Sequence, residues 1–579
     1  MLTESRFRSQ RDMLAGFLRA IPTDIRGYFK PFLYGLVGGL AAVGFQLGIN
    51  FLQWLLWTRL STIATGSFLL VSMITILGTS LVAGLILTYV SRDAAGSGIP
   101  QIKIAFWRDF GYLPFKVVLA KFFAGMITIG GGCSLGREGP TVHIAGALAS
   151  NIAGMLGVAK QGRRAALLSG AAAGLAAAFN TPLSAITFVM EEIVEDLNNT
   201  RFLAQTLVAA VTATFVAHVF LGADPAFVIP SVGHLSWILV LLVPPAAALA
   251  ALAGVAFQKG TLIWRDRIKN IDGVPRYLKP VVGAGINWVL GIMVFLWIAR
   301  LGVFGLGYQD LESILRSQVL GLHVLVLLIA KLAATTAVYA WGGAGGIFSP
   351  TLFFGAATGF VFSAVCAPIF HLTQSDQLAL TVAGMSACLG SVVRAPITSI
   401  LIVFEMTHQF DFVPLLMIGT IASQAVSHLF CSTNFYSEVI ERDGIELERH
   451  IPPRSLASLH NRPISTVANF TPVFARSTRQ EEVEKLLDEF PYQEFPLLID
   501  GRLVGLLSRN ALLGGHTVEQ AQKPGETVHP DATIREAVSK MIDKSASLLV
   551  VVSQPDGTPI GIVTLHDIMR LQRELADAS

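Results

Sequence analysis

Glu138 is a carboxylate with apolar sequence on both sides, set in the turn Gly136-Arg-Glu-Gly-Pro140. A bare carboxylate in hydrocarbon is too costly to persist. It must be protonated, paired with a cation such as the adjacent Arg137, or held by donors that would otherwise hold an anion. The third arrangement does chemistry. A carboxylate that competes with an anion for the same amides, and swings away when protonated, couples a proton to that anion in a single exchange.

Two further turns share the form, Gly96-Ser-Gly-Ile-Pro100 and Gly346-Ile-Phe-Ser-Pro350, and each precedes an apolar helical run. Proline at the first helical position leaves no extra donor unpaired, while glycine lets the preceding N–H groups approach a ligand. The free amides and positive dipole of a helix start favour negative charge by about 0.3–1 kcal/mol at a surface and up to ~2 kcal/mol when partly buried. One Gly-x-x-x-Pro turn is most simply a capped helix entry. Three of them, two in repeat-related places, point to an anion site.

The elements that position these turns lie in a bilayer. The 579 residues are 53% hydrophobic, and 29 of the last 129 are charged while the preceding 450 carry only 52 charges. A membrane part before about residue 450 and a soluble part after it are expected. Apolar runs recur from Pro31–Trp57 to Phe412–Phe430, among them Leu113–Cys133, Ala165–Met190, Val319–Tyr339 and Ser349–Phe370. Several are shorter than the ~20 residues of a spanning helix or are broken by Gly and Pro, which predicts tilted, re-entrant or interrupted helices. Arg6, Arg8, Arg11, Arg19, Arg26 and Lys30 precede the first run, with no cleavable signal pattern, and place the N-terminus in the cytoplasm. A net charge of +3 gives no reason to expect a nucleic-acid partner. Cys133, Cys366, Cys388 and Cys431 are isolated in apolar stretches without metal or redox spacing.

The membrane part repeats. Gly170–Glu192 lies on Gly384–Met406 at a constant offset of 214, matching Pro182 with Pro396, Ile186 with Ile400, Val189 with Val403 and Glu191 with Glu405. Gly132, Gly136, Pro140 and Thr141 meet Gly342, Gly346, Pro350 and Thr351 at an offset of 210. Two related halves place a transport site between them near the midplane. Spacing alone leaves their relative orientation open. The repeat also sorts a carboxylate cluster, Glu191, Glu192, Glu195 and Asp196. Glu191 has a counterpart in Glu405 and reads as structural, Glu195 and Asp196 read as a solvated helix end, and Glu192, which aligns with Met406, is the functional candidate.

GSGIP from Gly96, GREGP from Gly136, GGIFSP from Gly345 and the tyrosine of NFYS at Tyr436 together resemble the CLC family of chloride channels and chloride/proton exchangers, over roughly residues 30–440. The resemblance implies a homodimer, each subunit with its own anion path between inverted halves. It implies that Ser97 and Tyr436 offer hydroxyls to a central anion beside Gly98, that Ile347 and Phe348 offer backbone amides, that Gly139 lines the same place, and that Glu138 is the external gate. Tyr436 read by itself is an interface anchor. Ser97 is the chloride-preferring residue, where nitrate-preferring relatives carry proline. Glu192 occupies the internal proton-accepting position of exchangers, so the expectation is chloride/proton antiport, with a passive voltage- or proton-gated channel as alternative.

The soluble end repeats as well, Asp500–Ser508 on Asp556–Thr564 at an offset of 56, each unit reading strand, turn, strand, helix. The pair resembles tandem CBS domains, which implies ATP, ADP or AMP as a ligand. The T-x-x-D run that holds ribose and phosphate in such domains is present as Thr564 to Asp567, whereas the first unit has Ser508 and Ala511; a helix cap explains the same pair.

The expected fold is therefore a polytopic α-helical membrane protein with an inverted internal repeat and tilted, broken helices, followed by an α/β CBS pair. The expected order is a cytoplasmic segment at 1–30, a membrane domain at 31–440 with halves at about 31–230 and 235–440, a linker at 441–458, and CBS domains at 459–515 and 524–575. Both termini are expected in the cytoplasm, the bilayer being a prokaryotic inner membrane. A nucleotide-regulated cation transporter fits less well, because acids are sparse in the apolar runs. No Ser/Lys, Ser/His or H-E-x-x-H pattern appears in the spans, so neither a catalytic nor a metal-binding residue is assigned.

Overall fold

The computed structural model describes residues 23–58, 65–197, 199–227, 229–230, 232–271, 273–447, 460–553 and 558–577. Arg6, Arg8, Arg11 and Arg19, the linker prolines Pro452 and Pro453, and the second tail turn at Asp556 lie outside these residues. The chain divides after residue 450 into two compact units.

The first unit is helical. Its first half runs α1 (Thr23–Gln53), α2 (Thr65–Tyr89), α3 (Ile99–Trp107), α4 (Phe115–Gly130), α5 (Glu138–Met155), α6 (Lys160–Phe179), α7 (Pro182–Phe188) and α8 (Thr200–Leu221). The second half runs α9 (Leu239–Lys269), α10 (Lys279–Ile298), α11 (Tyr308–Leu315), α12 (Gly321–Ala340), α13 (Phe348–Phe370), α14 (Gln374–Val393), α15 (Pro396–Thr407) and α16 (Val413–Phe430), and α17 (Phe435–Arg442) follows. The repeat is thus eight helices long. Packing repeats with it: α1 lies on α5, α6 and α8 as α9 lies on α13, α14 and α16, and α5 on α6 as α13 on α14.

Among the described residues nine helices are long and apolar enough to cross a bilayer. Others are too short, such as α3 with nine residues and α11 with eight. The stretch expected as one run over 165–190 is cut at Asn180, whose φ of 60° ends α6 before Pro182 opens α7. Arg394, at φ 58°, makes the matching cut between α14 and α15, its guanidinium held by the Cys431 and Ser432 carbonyls at 2.6 Å. Phe215, Val219, Leu296, Trp297, Ile421 and Leu429 project outward from the spans, as lipid-facing residues do. The four cysteines are free and buried.

The second unit holds α18 (Gln480–Glu489), β1 (Glu494–Ile499), β2 (Arg502–Ser508), α19 (Arg509–Leu513), β3 (Gln522–Lys523), β4 (Thr527–Val528), α20 (Ile534–Asp543), β5 (Leu548–Val552), β6 (Pro559–Thr564) and α21 (Leu565–Asp577). Its sheets are ordered β1-β2-β3, antiparallel throughout, and β4-β5-β6, in which β4 pairs with β5 in parallel. Asp500 and Gly501 turn between β1 and β2 with φ 51° and 77°, the positive pair that a two-residue hairpin turn requires. Leu506 of β2 packs with Leu548, Val550 and Val552 of β5, joining the two sheets.

Candidate anion and proton path

The three glycine-proline turns meet. Gly136 and Gly346 exchange backbone hydrogen bonds, N to O, at 2.7 and 2.6 Å, so the repeat-related turns before α5 and α13 are laced to each other. The turn before α3 joins them, Gly96 N donating to Gly343 O at 3.0 Å and Gly345 N to Gly96 O at 3.1 Å. Glycine is required by this closeness: a β-carbon at Gly346 would stand 2.9 Å from the Gly139 nitrogen, and one at Gly139 would run into Ser97. Gly98, at φ 96°, caps α3 in the left-handed region, where a side chain is strained.

Two lysines tie the loops down. Lys121 on α4 donates to the carbonyls of Ala94, at 3.0 Å, and Gly96, while Lys331 on α12 donates to those of Gly302, at 2.7 Å, and Gly305, at 3.2 Å. Both are fully buried and they stand 210 residues apart, the offset of the repeat itself. The first clamps the loop that carries Ser97, the second the loop that carries Tyr308.

Glu138 is fully buried at the first position of α5. Its carboxylate lies across the start of α13, accepting from the Ser349 amide at 3.4 Å and from the Ser349 hydroxyl. Tyr308 at the start of α11 donates its hydroxyl at 2.8 Å to Oε1, the oxygen that also takes the Ser349 hydroxyl. Arg137 does not take the role of counterion: its guanidinium donates to Ala178 O at 3.0 Å and sits 5.4 Å over the Tyr308 ring. Ile347 and Phe348 occupy the turn just before Ser349, where helix geometry leaves amides without intrahelical partners.

Tyr436 is fully buried, which corrects its reading as an interface anchor. The polar stretch around it folds inward because Asn434 caps α17, accepting from Ser437 N at 2.8 Å. Its hydroxyl lies by Ser97 and within electrostatic reach of both Glu192 and Glu138. Both the Tyr436 and Ser97 hydroxyls are buried without a hydrogen-bond partner among the described residues. Two neighbouring hydroxyls without partners, next to the start of α3, are what a small anion would satisfy.

Glu192 is buried in the π-helical turn that ends α7. Lys103 of α3 reaches its Oε1 at 3.2 Å and Asn434 donates to its Oε2 at 2.8 Å. Lys103 also contacts Ser437 at 3.0 Å and Glu195 at 2.9 Å. Glu195 therefore departs from the expected solvated helix end; a buried ammonium arriving from α3 draws it inward. Glu192 is linked at both oxygens to the helix that carries Tyr436, directly through Asn434 and indirectly through Lys103 and Ser437.

Glu191 and Glu405 work differently. Glu191 accepts from Ile397 N, Thr398 N and Thr398 Oγ1 at 3.2, 2.8 and 2.7 Å, capping α15. Glu405 accepts from Leu183 N, Ser184 N and Ser184 Oγ at 2.9, 2.7 and 2.7 Å, capping α7. Each half caps a helix of the other, the reciprocity of a two-fold relation. In the tail, Thr564 and Asp567 close a capping box on α21, with Thr564 Oγ1 to Asp567 Oδ2 at 2.6 Å and Asp567 N to Thr564 Oγ1 at 3.2 Å.

A helical membrane protein of two reciprocal halves, with three helix-start turns bonded to one another beside a buried carboxylate, is the class this arrangement defines. The sequence profile described as "Voltage gated chloride channel" matches residues 79–428, and that of the CBS domain matches residues 521–574. The chain is 30% identical over 434 residues to the H(+)/Cl(-) exchange transporter ClcA of Vibrio campbellii, covering 73% of this chain and 90% of the relative. It is 30% identical over 460 residues to the protein of the same name from Vibrio cholerae, covering 77% and 96%. Its fold is similar to a slow cyanobacterial Cl-/H+ antiporter, with a TM-score of 0.64 at 23% identity over 74% of this chain and 99% of the other. It is also similar to a eukaryotic CLC transporter, with a TM-score of 0.63 at 19% identity over 94% and 98%. The chain belongs to the voltage gated chloride channel family, the CLC proteins.

Proposed function

We propose that the chain is a chloride/proton antiporter. One observation carries the reading: the Glu138 carboxylate accepts from the amide at the start of α13, where an anion would be held, while a second buried carboxylate, Glu192, is also within electrostatic reach of Tyr436. Chloride entering displaces Glu138 once that group is protonated, and Ser97 and Tyr436 then offer their hydroxyls, with Gly98 and Gly139 allowing close approach and the Ile347 and Phe348 amides facing the ion. Glu192 delivers or receives the proton at the other end. A passive channel has no use for a carboxylate held at both oxygens in the interior, so the Lys103–Glu192–Asn434 set favours exchange. With two halves enclosing one path, the reading is of a homodimer with one pathway in each subunit, and exposed Leu183 and Ile397, 214 residues apart at the mutually capped helix starts, fit such a contact.

The reading extends to a multi-pass protein of a prokaryotic inner membrane with both termini cytoplasmic, its transport domain at 31–440 and its CBS units at 459–515 and 524–575. Adenine nucleotide is the ligand proposed for the CBS pair, at Thr564 and Asp567. Proteoliposomes loaded with chloride test the central claim. Chloride leaving down its gradient must drive protons the opposite way, recorded with paired chloride and pH electrodes; chloride efflux with no opposing proton movement overturns exchange.

A further inference from the structure

Among the described residues, two hydroxyls bond the Glu138 carboxylate, and Tyr308 is the one that comes from outside the three glycine-proline turns. It opens α11 behind Gly307, which caps the helix at φ 72°. The loop before it is fixed by Lys331 through the Gly302 and Gly305 carbonyls. The ring is gripped on two sides, by Arg137 at 5.4 Å and edge-on by Phe227, also at 5.4 Å. From this rigid mount the phenol reaches Glu138 at 2.8 Å and Ser349 at 2.7 Å. A cavity of about 740 Å³, whose wall includes Arg137, Arg300, Tyr308 and Asp310, adjoins it.

We propose that Tyr308 is the latch of the gate: its hydroxyl holds the ionised Glu138 against the start of α13, and opening requires that bond to break. The inference rests on Glu138 being the gate and makes Tyr308 a positioning residue, acting through the carboxylate. Two hydroxyl protons, one from Tyr308 and one from Ser349, serve a carboxylate that is acceptor-only while ionised. Protonation removes the negative charge that strengthens both bonds, so the hold on the side chain weakens and it is released. Each opening must break the charge-assisted hydrogen bond from Tyr308, which slows transport. The charged and titratable groups facing the gate are Arg137 from its own turn, Tyr308 from α11 and Tyr436 from α17, with the Arg300–Asp310 pair, 3.0 Å apart, further along the cavity wall.

Tyr308→Phe keeps the ring, its stacking and its helix start, and removes only the hydroxyl. In proteoliposomes the variant should carry chloride about tenfold faster, the scale of one charge-assisted hydrogen bond. The same substitution made on Glu138→Gln should add nothing. Unchanged chloride flux in the single variant, or an equal acceleration in both backgrounds, overturns the latch. Proton coupling in the unaltered protein, recorded in the same vesicles, is a separate reading: its absence ends the antiport proposal, while the comparison of chloride flux across the two backgrounds still decides Tyr308.

Discussion

Lys103 and Glu192 form a salt bridge 3.2 Å long in which both side chains are only 2% exposed. Glu195 closes on the same ammonium at 2.9 Å. Removing one partner of a buried pair strands the other's charge, at a cost of about 3–5 kcal/mol. Lys103→Met should therefore lower resistance to denaturation of the detergent-solubilised protein by about that amount. It should also lower the number of protons moved per chloride, since Glu192 then faces Glu195 without neutralisation. A variant as stable and as tightly coupled as the parent removes Lys103 from both roles.

Glu138→Gln and Glu138→Ala should carry chloride while moving no protons, because neither side chain can load one. Glu192→Gln should separate the two fluxes from the opposite end. Intact proton pumping in any of the three, measured with paired electrodes, excludes that residue from the proton route.

The repeat assigns a purely structural task to Glu405. Glu405→Ala leaves Leu183 N, Ser184 N and Ser184 Oγ without their acceptor, and a buried group left unsatisfied costs about 1–3 kcal/mol. Thermal unfolding should move to lower temperature while the proton-to-chloride ratio of the surviving protein stays as it was. A changed ratio would falsify the division of labour between Glu405 and Glu192.

Selectivity should follow Ser97. Proline there removes both a hydroxyl and a backbone N–H from a turn already held by Lys121. Ser97→Pro should raise nitrate transport relative to chloride, measured as the ratio of the two fluxes in one vesicle preparation; an unaltered ratio argues against Ser97 as an anion contact.

In the tail, Asp567→Ala removes the acceptor of the α21 capping box and should cost about 1 kcal/mol. Calorimetric titration of the intact protein with ATP, ADP and AMP then separates two roles. Heat that disappears in the variant makes the pair a nucleotide contact, and no heat with any nucleotide in the parent leaves it as a cap.

The glycine-proline turns, the 210 and 214 offsets, the apolar setting of Glu138 and the absence of a repeat counterpart for Glu192 could all be read along the chain, because each is local or periodic. The partners of those carboxylates could not. Lys103 lies 89 positions before Glu192, and Tyr308 lies 170 positions after Glu138, in a short polar segment with nothing unusual in its composition. Pairings over such distances are settled by how α3, α7, α11 and α13 pack. Lys121 and Lys331 are a different case: two lysines in apolar runs at the repeat offset formed a readable signal. The inward fold of Tyr436 depends on Asn434 capping α17, and Glu195 turned from solvent because its counterion comes from another helix.

The mutual capping by Glu191 and Glu405 bears on where an anion can go. The membrane unit is rich in helix starts, and every exposed start is an attractive stopping place for a negative ion. Two of them, at Pro182 and Pro396, are permanently plugged by carboxylates that belong to the protein. The start of α13 is covered instead by Glu138, which on the proposed mechanism is a plug that withdraws. Blocking the decoys leaves a travelling ion a single productive berth, so fidelity of routing depends on the ends that are sealed as much as on the end that opens.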